Sequence, residues 1–216
     1  MRFRKPYANT PALVKFVLSR LHEETSPISG KIEVIEDGVE RKLLIEGATQ
    51  SIYRTDGTER GYWLGLIPEQ EVRSALILGL GGGTAVRLLR KRWPGVRVVA
   101  YELDPAVVRA ATSFMNLDQG AEVRIADFRE ALRDPEKFDC IIVDLYRGHK
   151  FIPEAESESF LKELRVKLHP GGLVAFNRIP AFGRQELDQF EDRLCGIFSK
   201  VWTAQADLNL VYWGQA

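Results

Sequence analysis

The segment from Ser74 to Pro105 constrains the fold of this chain more than any other. It begins with a short apolar run, Ala75–Leu80, which is typical of a central strand buried in a parallel sheet. Four closely spaced glycines follow, and then Thr84 opens a run of apolar residues with helical spacing. A second apolar run, Val96–Tyr101, leads directly to Glu102. The segment therefore predicts a strand, a glycine-rich turn, a helix with Thr84 as its N-cap, a second strand and a carboxylate.

The glycine cluster predicts a nucleoside-binding site. Glycines let the backbone turn sharply and let a ligand approach main chain that a Cβ would block. Glu102 follows Gly81 by 21 residues, and Rossmann-type sites place the carboxylate that binds ribose hydroxyls about 20 residues after the turn. The competing interpretation is a structural turn without a ligand, and the acid at this spacing favours binding. The candidate ligand-binding glycines are Gly79, Gly81, Gly82 and Gly83.

Composition excludes several classes of protein. Thirty basic and thirty acidic residues give a formal charge of zero, so there is no global electrostatic case for nucleic acid as a partner. No apolar run approaches the roughly 18–20 residues of a membrane span, and the basic start lacks an apolar signal core. Cys140 and Cys195 match no metal or redox spacing, and Cys140 is predicted to be a core thiol. We expect a soluble, cytoplasmic protein without a metal site.

The chain divides into two predicted parts, residues 1–66 and residues 67–216. In the first, Pro11–Leu21 has the pattern of a short amphipathic helix, and residues 30–54 alternate in hydrophobicity with a hairpin signal at Asp37-Gly38. In the second, apolar runs alternate with helical patterns, which favours a mostly parallel sheet. The predicted strands are Ser74–Leu80, Val96–Glu102, Glu122–Ala126, Phe138–Asp144, Leu173–Asn177, Val201–Ala204 and Leu208–Tyr212. The predicted helices cover residues 84–93, 105–115, 127–133, 154–168 and 184–198.

Seven strands, the last two consecutive, make the chain resemble class I S-adenosylmethionine-dependent methyltransferases. The resemblance implies an α/β fold with a Rossmann-like seven-stranded methyltransferase-type sheet, preceded here by a small antiparallel β module. Within that superfamily the chain resembles the spermidine synthases, the polyamine aminopropyltransferases. The motifs that carry this likeness are Gln50 in GATQ, the turn GLGGGT, Glu102 in YELDP, Asp127 in ADF and Asp144 at the end of FDCIIVD.

The resemblance implies S-adenosylmethionine, or its decarboxylated form, as the cofactor. By the same resemblance Glu102 binds the ribose, Asp127 the adenine amino group, and Asp144 is the catalytic carboxylate, with Gln50 leaning in from the β module. The residues themselves place the three acids at the carboxyl ends of predicted strands, the edge where open α/β sheets bind ligands. Asp127 is equally well explained as a helix N-cap, and Asp144 as a carboxylate that caps a loop.

Three positions depart from the spermidine synthase pattern. Gly82 stands where these enzymes typically carry an aspartate for the donor amine, and Arg147 stands where a second acid is usual. Tyr62-Trp63-Leu64 replaces a tyrosine-histidine-glutamate patch, and its aromatic residues are predicted to pack between the two parts. Because an unpaired buried ammonium is costly, these changes favour methyl transfer to a small-molecule acceptor over aminopropyl transfer. The predicted substrate loop contains Tyr146, Arg147 and His149.

Two alternatives stay open at this point. One is aminopropyl transfer to a polyamine, and the other is a nucleoside-binding protein that kept the fold and lost the chemistry. No nucleic-acid or membrane partner is expected. A homodimer is one expectation, since the exposed edges of a β module often pair between subunits.

Overall fold

A computed structural model describes residues 18–117, 120–147, 150–180 and 183–216. The strands are β1 Ser19–Ser26, β2 Gly30–Asp37, β3 Glu40–Ile45, β4 Ala48–Arg54, β5 Ser74–Leu78, β6 Arg97–Glu102, β7 Glu122–Ile125, β8 Phe138–Val143, β9 Tyr146–Arg147, β10 Lys150–Phe151, β11 Leu168–Arg178, β12 Lys200–Ala206 and β13 Asn209–Gln215. The helices are α1 Thr84–Arg92, α2 Pro105–Phe114, α3 Phe128–Arg133, α4 Glu158–Lys167 and α5 Arg184–Cys195. Two 3₁₀ turns cover Tyr62–Leu66 and Pro153–Glu156.

Strands β1 to β4 form an antiparallel sheet in chain order. The alternating pattern gives this sheet one apolar face, and its buried residues Ile32, Val34 and Leu43 pack against α2. The predicted hairpin at Asp37-Gly38 is present, with Gly38 at φ 62°. The helix predicted over Pro11–Leu21 is wrong at its carboxyl end, because residues 19–21 belong to β1, in which Ser19 and Arg20 pair with β2. The rest of that predicted helix lies outside the described residues.

The second sheet has seven strands in the order β12-β13-β11-β8-β5-β6-β7. Strands β7, β6, β5, β8 and β11 run parallel, and β13 is antiparallel to both of its neighbours. This arrangement confirms the predicted fold class, including the two consecutive closing strands. The chain goes from β5 to β6 on one side and returns to β8 on the other. That reversal is the switch point beside which open α/β sheets bind ligands.

The central strands are apolar on both faces because helices cover both sides of the sheet. In β5, Leu76 and Leu78 face one buried cluster while Ala75 and Ile77 face another. Cys140 of β8 belongs to the second cluster and is fully buried. Burial raises the pKa of its thiol to about 12, so Cys140 is an inert core residue, as predicted. Within the described ranges, no helix is long and apolar enough to cross a membrane.

The helix predicted over residues 154–168 is interrupted. Residues 153–156 form a 3₁₀ turn, and α4 starts after Ser157, whose Oγ accepts a hydrogen bond from the Phe160 N–H at 3.3 Å. A side-chain acceptor at this position satisfies one of the free donors of the first turn. The interruption matters because the 3₁₀ turn lines the cleft at the carboxyl edge of the sheet.

Candidate functional site

A cleft of about 470 Å³ opens at the carboxyl edge of the seven-stranded sheet, beside the first sheet. It brings together seven of the residues proposed from sequence: Gln50, Gly79, Gly81, Glu102, Asp127, Asp144 and Tyr146. Gly82 and Gly83 belong to the same turn but do not line the cleft. His149 and the side chain of Arg147 lie outside the described part of the structure.

The first half of the glycine turn forms the floor of the cleft. Gly79 has φ 91°, and a Cβ there would collide with the main-chain carbonyl of Asp144. Gly81 has φ 51°, and a Cβ there would lie 2.9 Å from the carbonyl oxygen of Gln50. Both positions therefore require glycine for conformation and for close approach of other backbone. The turn therefore packs closely against the main chain that follows β8 and against β4.

The second half of the turn faces the first sheet. A Cβ at Gly82 would lie 2.5 Å from Ser51 Cβ, so β4 packs directly on this glycine. Gly83 has φ 78° and is the N-cap of α1, where Thr84 was predicted. Thr84 Oγ1 instead donates a hydrogen bond to the Ile52 carbonyl at 3.0 Å. The Thr84 side chain therefore attaches the glycine turn to β4 and does not cap α1.

Arg87 of α1 also connects the glycine turn to β4. Its guanidinium donates to the carbonyls of Ile52 at 2.6 Å, Met115 at 2.8 Å and Gly82 at 3.0 Å. Burial lowers the pKa of Arg87, and the three carbonyls satisfy donors that water would otherwise bind. The cluster Arg87, Arg90, Lys91 and Arg92 has the pattern of a solvated basic helix face. For Arg87 this prediction is wrong, because the residue is partly buried and bonds these carbonyls.

Glu102 closes the cleft opposite the glycine turn. Its Oε2 accepts a hydrogen bond from the Gly81 N–H at 3.3 Å, and its Oε1 accepts from the Asp104 N–H at 3.1 Å. Burial raises the pKa of this carboxyl, and the backbone donors counter the rise. Each carboxylate oxygen keeps a further lone pair, so Glu102 can accept two hydroxyl hydrogens from a ligand in the cleft.

Asp127 caps α3 and lines the cleft at once. Its Oδ1 accepts from the Arg129 N–H at 2.9 Å and from Arg129 Nε at 2.8 Å, and Oδ2 accepts from Nη2 at 2.7 Å. The Arg129 guanidinium lowers the pKa of Asp127. Asp127 is therefore an ionised hydrogen-bond acceptor whose orientation is fixed. An N–H or O–H group of a ligand would share the Asp127 carboxylate with Arg129.

Asp144 lies at the end of β8 with a donor on each oxygen. Tyr62 Oη donates to Oδ2 at 2.9 Å, and Asn177 Nδ2 donates to Oδ1 at 2.7 Å. Burial raises the pKa of Asp144, and these two bonds act against that rise. Tyr146, in the wall above, donates its hydroxyl to the Asn177 carbonyl at 3.2 Å. The arrangement suits a carboxylate that takes part in proton transfer.

Sequence reasoning missed two residues of this cluster. Tyr62 was assigned to packing, and it does stack on Trp63 with ring centroids 4.2 Å apart, but its hydroxyl reaches Asp144. Asn177 was noted only as the end of a strand. A polar residue closing an apolar strand at the ligand-binding edge was the signal that could have identified it. Glu154 also lines the cleft, from the 3₁₀ turn that sequence reasoning had placed inside a helix.

The chain is similar in sequence to known transferases. Residues 75–172 match the model of a methyltransferase domain family. A probable polyamine aminopropyl transferase of Bifidobacterium longum is 28% identical over 138 residues, which are 62% of this chain and 31% of that protein. The eEF1A lysine and N-terminal methyltransferase of Xenopus laevis is 30% identical over 128 residues, 53% of this chain and 18% of that protein. The chain thus spans about a third or less of the length of these two relatives.

Solved structures share the fold. A spermidine synthase in complex with the transition state analogue AdoDATO superposes with a TM-score of 0.76 at 19% identity, covering 91% of this chain and 73% of that one. Human methyltransferase-like protein 13 in complex with SAH superposes with a TM-score of 0.62 at 21% identity, covering 71% of this chain and 78% of that one. At these identities the superpositions establish architecture, and the chemistry must be argued from the cleft.

Proposed function

We propose, from the premise that the chain is a spermidine synthase-like protein with the class I methyltransferase fold, that it is a transferase using an S-adenosylmethionine-type donor. In this proposal residues 1–66 form the module that bounds the cleft and residues 67–216 the nucleoside-binding domain. When bound, such a donor supplies an electrophilic carbon attached to a cationic sulfur. The chain supplies orientation, exclusion of water and a proton acceptor.

The cleft residues fit a nucleoside. Glu102 offers paired acceptors for ribose hydroxyls, and Gly79 and Gly81 line the cleft beside it. Ile28 and Leu103, each 40% exposed, line the cleft with apolar surface suited to the faces of a base. The volume of about 470 Å³ lies within the roughly 300–1,000 Å³ of small-molecule sites. Asp127 would accept the exocyclic amine beside Arg129.

One observation carries the choice of the transferred group, namely the contact between Gly82 and Ser51. The turn has no room for a side chain at Gly82, because a Cβ there would lie 2.5 Å from Ser51 Cβ. The glycine turn therefore supplies no carboxylate for the amine of a decarboxylated donor, the role that the resemblance to spermidine synthases gives to an aspartate at position 82. Intact S-adenosylmethionine carries its own carboxylate beside that amine and does not require this partner. We accordingly favour methyl transfer to a small-molecule acceptor.

Asp144 is the proposed catalytic residue. A nucleophilic amine or hydroxyl must lose a proton during transfer, and Asp144 is positioned in the cleft wall to receive it. Tyr62 and Asn177 hold the carboxylate in place, and a positioned general base typically contributes about 10²–10⁴-fold in rate. Gln50 and Tyr146, which also line the cleft, are proposed to contact the donor or acceptor.

Aminopropyl transfer is the second candidate, and the charge of the cleft favours it. Among the described side chains that line the cleft, Glu102, Asp127, Asp144 and Glu154 are acidic, and Arg129 is the one cation. An acidic cleft suits a polyamine. Several relatives are named polyamine aminopropyltransferases.

Calorimetric titration distinguishes the candidates. The purified protein is titrated with S-adenosylmethionine, its decarboxylated form and 5′-methylthioadenosine. Preference for intact S-adenosylmethionine supports methyl transfer, and preference for the decarboxylated form supports aminopropyl transfer. Binding of none of the three would contradict the nucleoside site altogether.

A paired variant sharpens the test. Ser51→Gly with Gly82→Asp makes room for the aspartate typical of spermidine synthases, and Ser51→Gly alone is its control. We expect the pair to shift preference toward the decarboxylated donor.

Asp144→Asn then separates an enzyme from a binding protein, because this variant of an enzyme keeps its donor affinity and loses turnover.

A further inference from the structure

Two buried asparagines, Asn177 and Asn209, form a chain of hydrogen bonds that ends at Asp144. Asn177, at the end of β11, is 1% exposed, and Asn209, at the start of β13, is 8% exposed. Buried amides are costly unless they are hydrogen-bonded. Both belong to the antiparallel pair β11–β13, in which Asn177 stands opposite Val211.

Their hydrogen bonds have a fixed direction. Asn209 Nδ2 donates to Asn177 Oδ1 at 2.7 Å, and Asn177 Nδ2 donates to Asp144 Oδ1 at 2.7 Å. An amide has a donor end and an acceptor end. Because Asn209 occupies the acceptor end of Asn177, the donor end is turned toward Asp144. The orientation of one amide thus depends on a residue that does not touch the carboxylate.

Among the described side chains that hydrogen-bond to Asp144 or face it, none is a cation. Tyr62 faces it from the 3₁₀ turn and Tyr146 from β9, and the pKa of both hydroxyls is raised by burial and by Asp144 itself. Trp63 adds a side-chain hydrogen bond from the same turn. The hydrogen bonds from these neutral donors therefore favour the charged form of Asp144 against the effect of burial. Charge-assisted bonds of 2.7–2.9 Å are the strong kind.

We propose that Asn177, oriented by Asn209, is the positioning residue that fixes Asp144 in the wall of the cleft and favours its charged form. Its catalytic consequence rests on the proposed function, in which Asp144 accepts the proton of the acceptor. The arrangement links the closing hairpin β12–β13 to the reaction centre. Asn177 itself need not contact the donor or the acceptor.

The test begins on the ligand-free protein. Asp144 is titrated by NMR of ¹³C-labelled aspartate, with its signal assigned through Asp144→Asn. We expect Asn177→Leu to raise the titration midpoint by about one pH unit or more, since a hydrogen bond to the charged form is lost. Asn209→Leu should raise it by a smaller amount without touching Asp144. Gln205→Ala is the control, because Gln205 Nε2 bonds the Asp207 carbonyl in the same hairpin at 2.7 Å and should leave the midpoint unchanged.

The Asp144 titration midpoint in the two asparagine variants supports or contradicts the proposal. A folded Asn177→Leu or Asn209→Leu protein whose Asp144 midpoint equals that of the parent would overturn the proposal. If Asn177→Leu fails to fold, Asn209→Leu carries the same test. Once an acceptor is known, both variants should lower kcat and leave donor affinity unchanged. A shifted midpoint in a protein that binds no donor would uphold the positioning role and refute the proposed function, so the two can fail separately.

Discussion

Ser51 Oγ and Thr84 Oγ1 lie 2.5 Å apart and join the first sheet to the glycine turn of the second. Both side chains are buried, and Thr84 Oγ1 also accepts from the Ile52 N–H at 3.3 Å. The hydroxyl of Thr84 thus connects the two sheets and does not cap α1. Contacts from both sheets therefore hold the glycine turn that forms the floor of the cleft.

Thr84→Val should destabilise the protein by about 1–3 kcal/mol, because the Ile52 N–H and the Ser51 hydroxyl lose their hydrogen bonds to the buried Thr84 Oγ1. The substitution keeps the shape of the side chain, so lost hydrogen bonds dominate the effect. Urea unfolding followed by circular dichroism measures it. Thr112→Val is the matched control, since Thr112 is exposed on α2 and its Oγ1 donates to the Val108 carbonyl at 2.9 Å. Equal losses in both variants would contradict a special role for Thr84.

Gly82→Ala should destabilise the fold by about 1–3 kcal/mol through overpacking against Ser51. Gly82 does not have a positive φ, so the penalty is steric rather than conformational. Ser51→Gly in the same chain removes the Ser51 Cβ and Oγ that the new methyl group would meet. The double variant should therefore lose less stability than the sum of the two single variants. Strict additivity in a double-mutant cycle would show that the two residues do not touch.

The sequence carried enough information for the glycine turn and the seven-stranded sheet. The reason is local, because an apolar run, a glycine cluster and an acid at fixed spacing leave few folds open. Glu102, Asp127 and Asp144 could be placed at one edge for the same reason, since the carboxyl ends of parallel strands meet there. Partners distant in the sequence were not predictable in this way.

The Asp144 cluster shows where sequence reasoning stops. Tyr62 and Asn177 lie 82 and 33 residues from Asp144, and no spacing rule links them. Ser51 and Gly82 are likewise joined only by the packing of one sheet on the other. An aromatic residue in a connector and a polar residue at a strand end each had an ordinary explanation. Only the folded chain selects between that explanation and a role at the site.

Glu102→Ala should weaken binding of an S-adenosylmethionine-type donor by about 1–3 kcal/mol, because a buried ribose would lose its charged acceptor. At about 1.4 kcal/mol per tenfold, this is roughly a 5- to 150-fold rise in Kd. Calorimetry with 5′-methylthioadenosine measures the loss without turnover. Glu122→Ala is the control, since Glu122 pairs with Arg97 and Arg124 away from the cleft. Unchanged affinity in Glu102→Ala would remove the ribose assignment.

Glu40 should make stability depend on pH in the acid range. Its carboxylate is buried at the start of β3 and pairs with Arg60 at 2.5 Å and with Arg54 and Lys42 at 3.2 Å each. The hydrogen bond from Arg60 is the main cause that lowers its pKa from 4.5 to about 2. A carboxyl whose pKa falls on folding stabilises the native state above its unfolded pKa, and that contribution is lost as pH falls toward the folded pKa.

Glu40→Gln should therefore cost about 1–3 kcal/mol at pH 7, where the charge-assisted bonds are complete. The difference from the parent should shrink steadily between pH 4.5 and pH 2, the interval set by the two pKa values of Glu40. Urea unfolding at several pH values measures this difference, and Glu163→Gln, on the exposed face of α4, controls for the loss of one negative charge. A gap between Glu40→Gln and the parent that stays constant down to pH 2 would mean that packing, not the ion pairs, accounts for the loss.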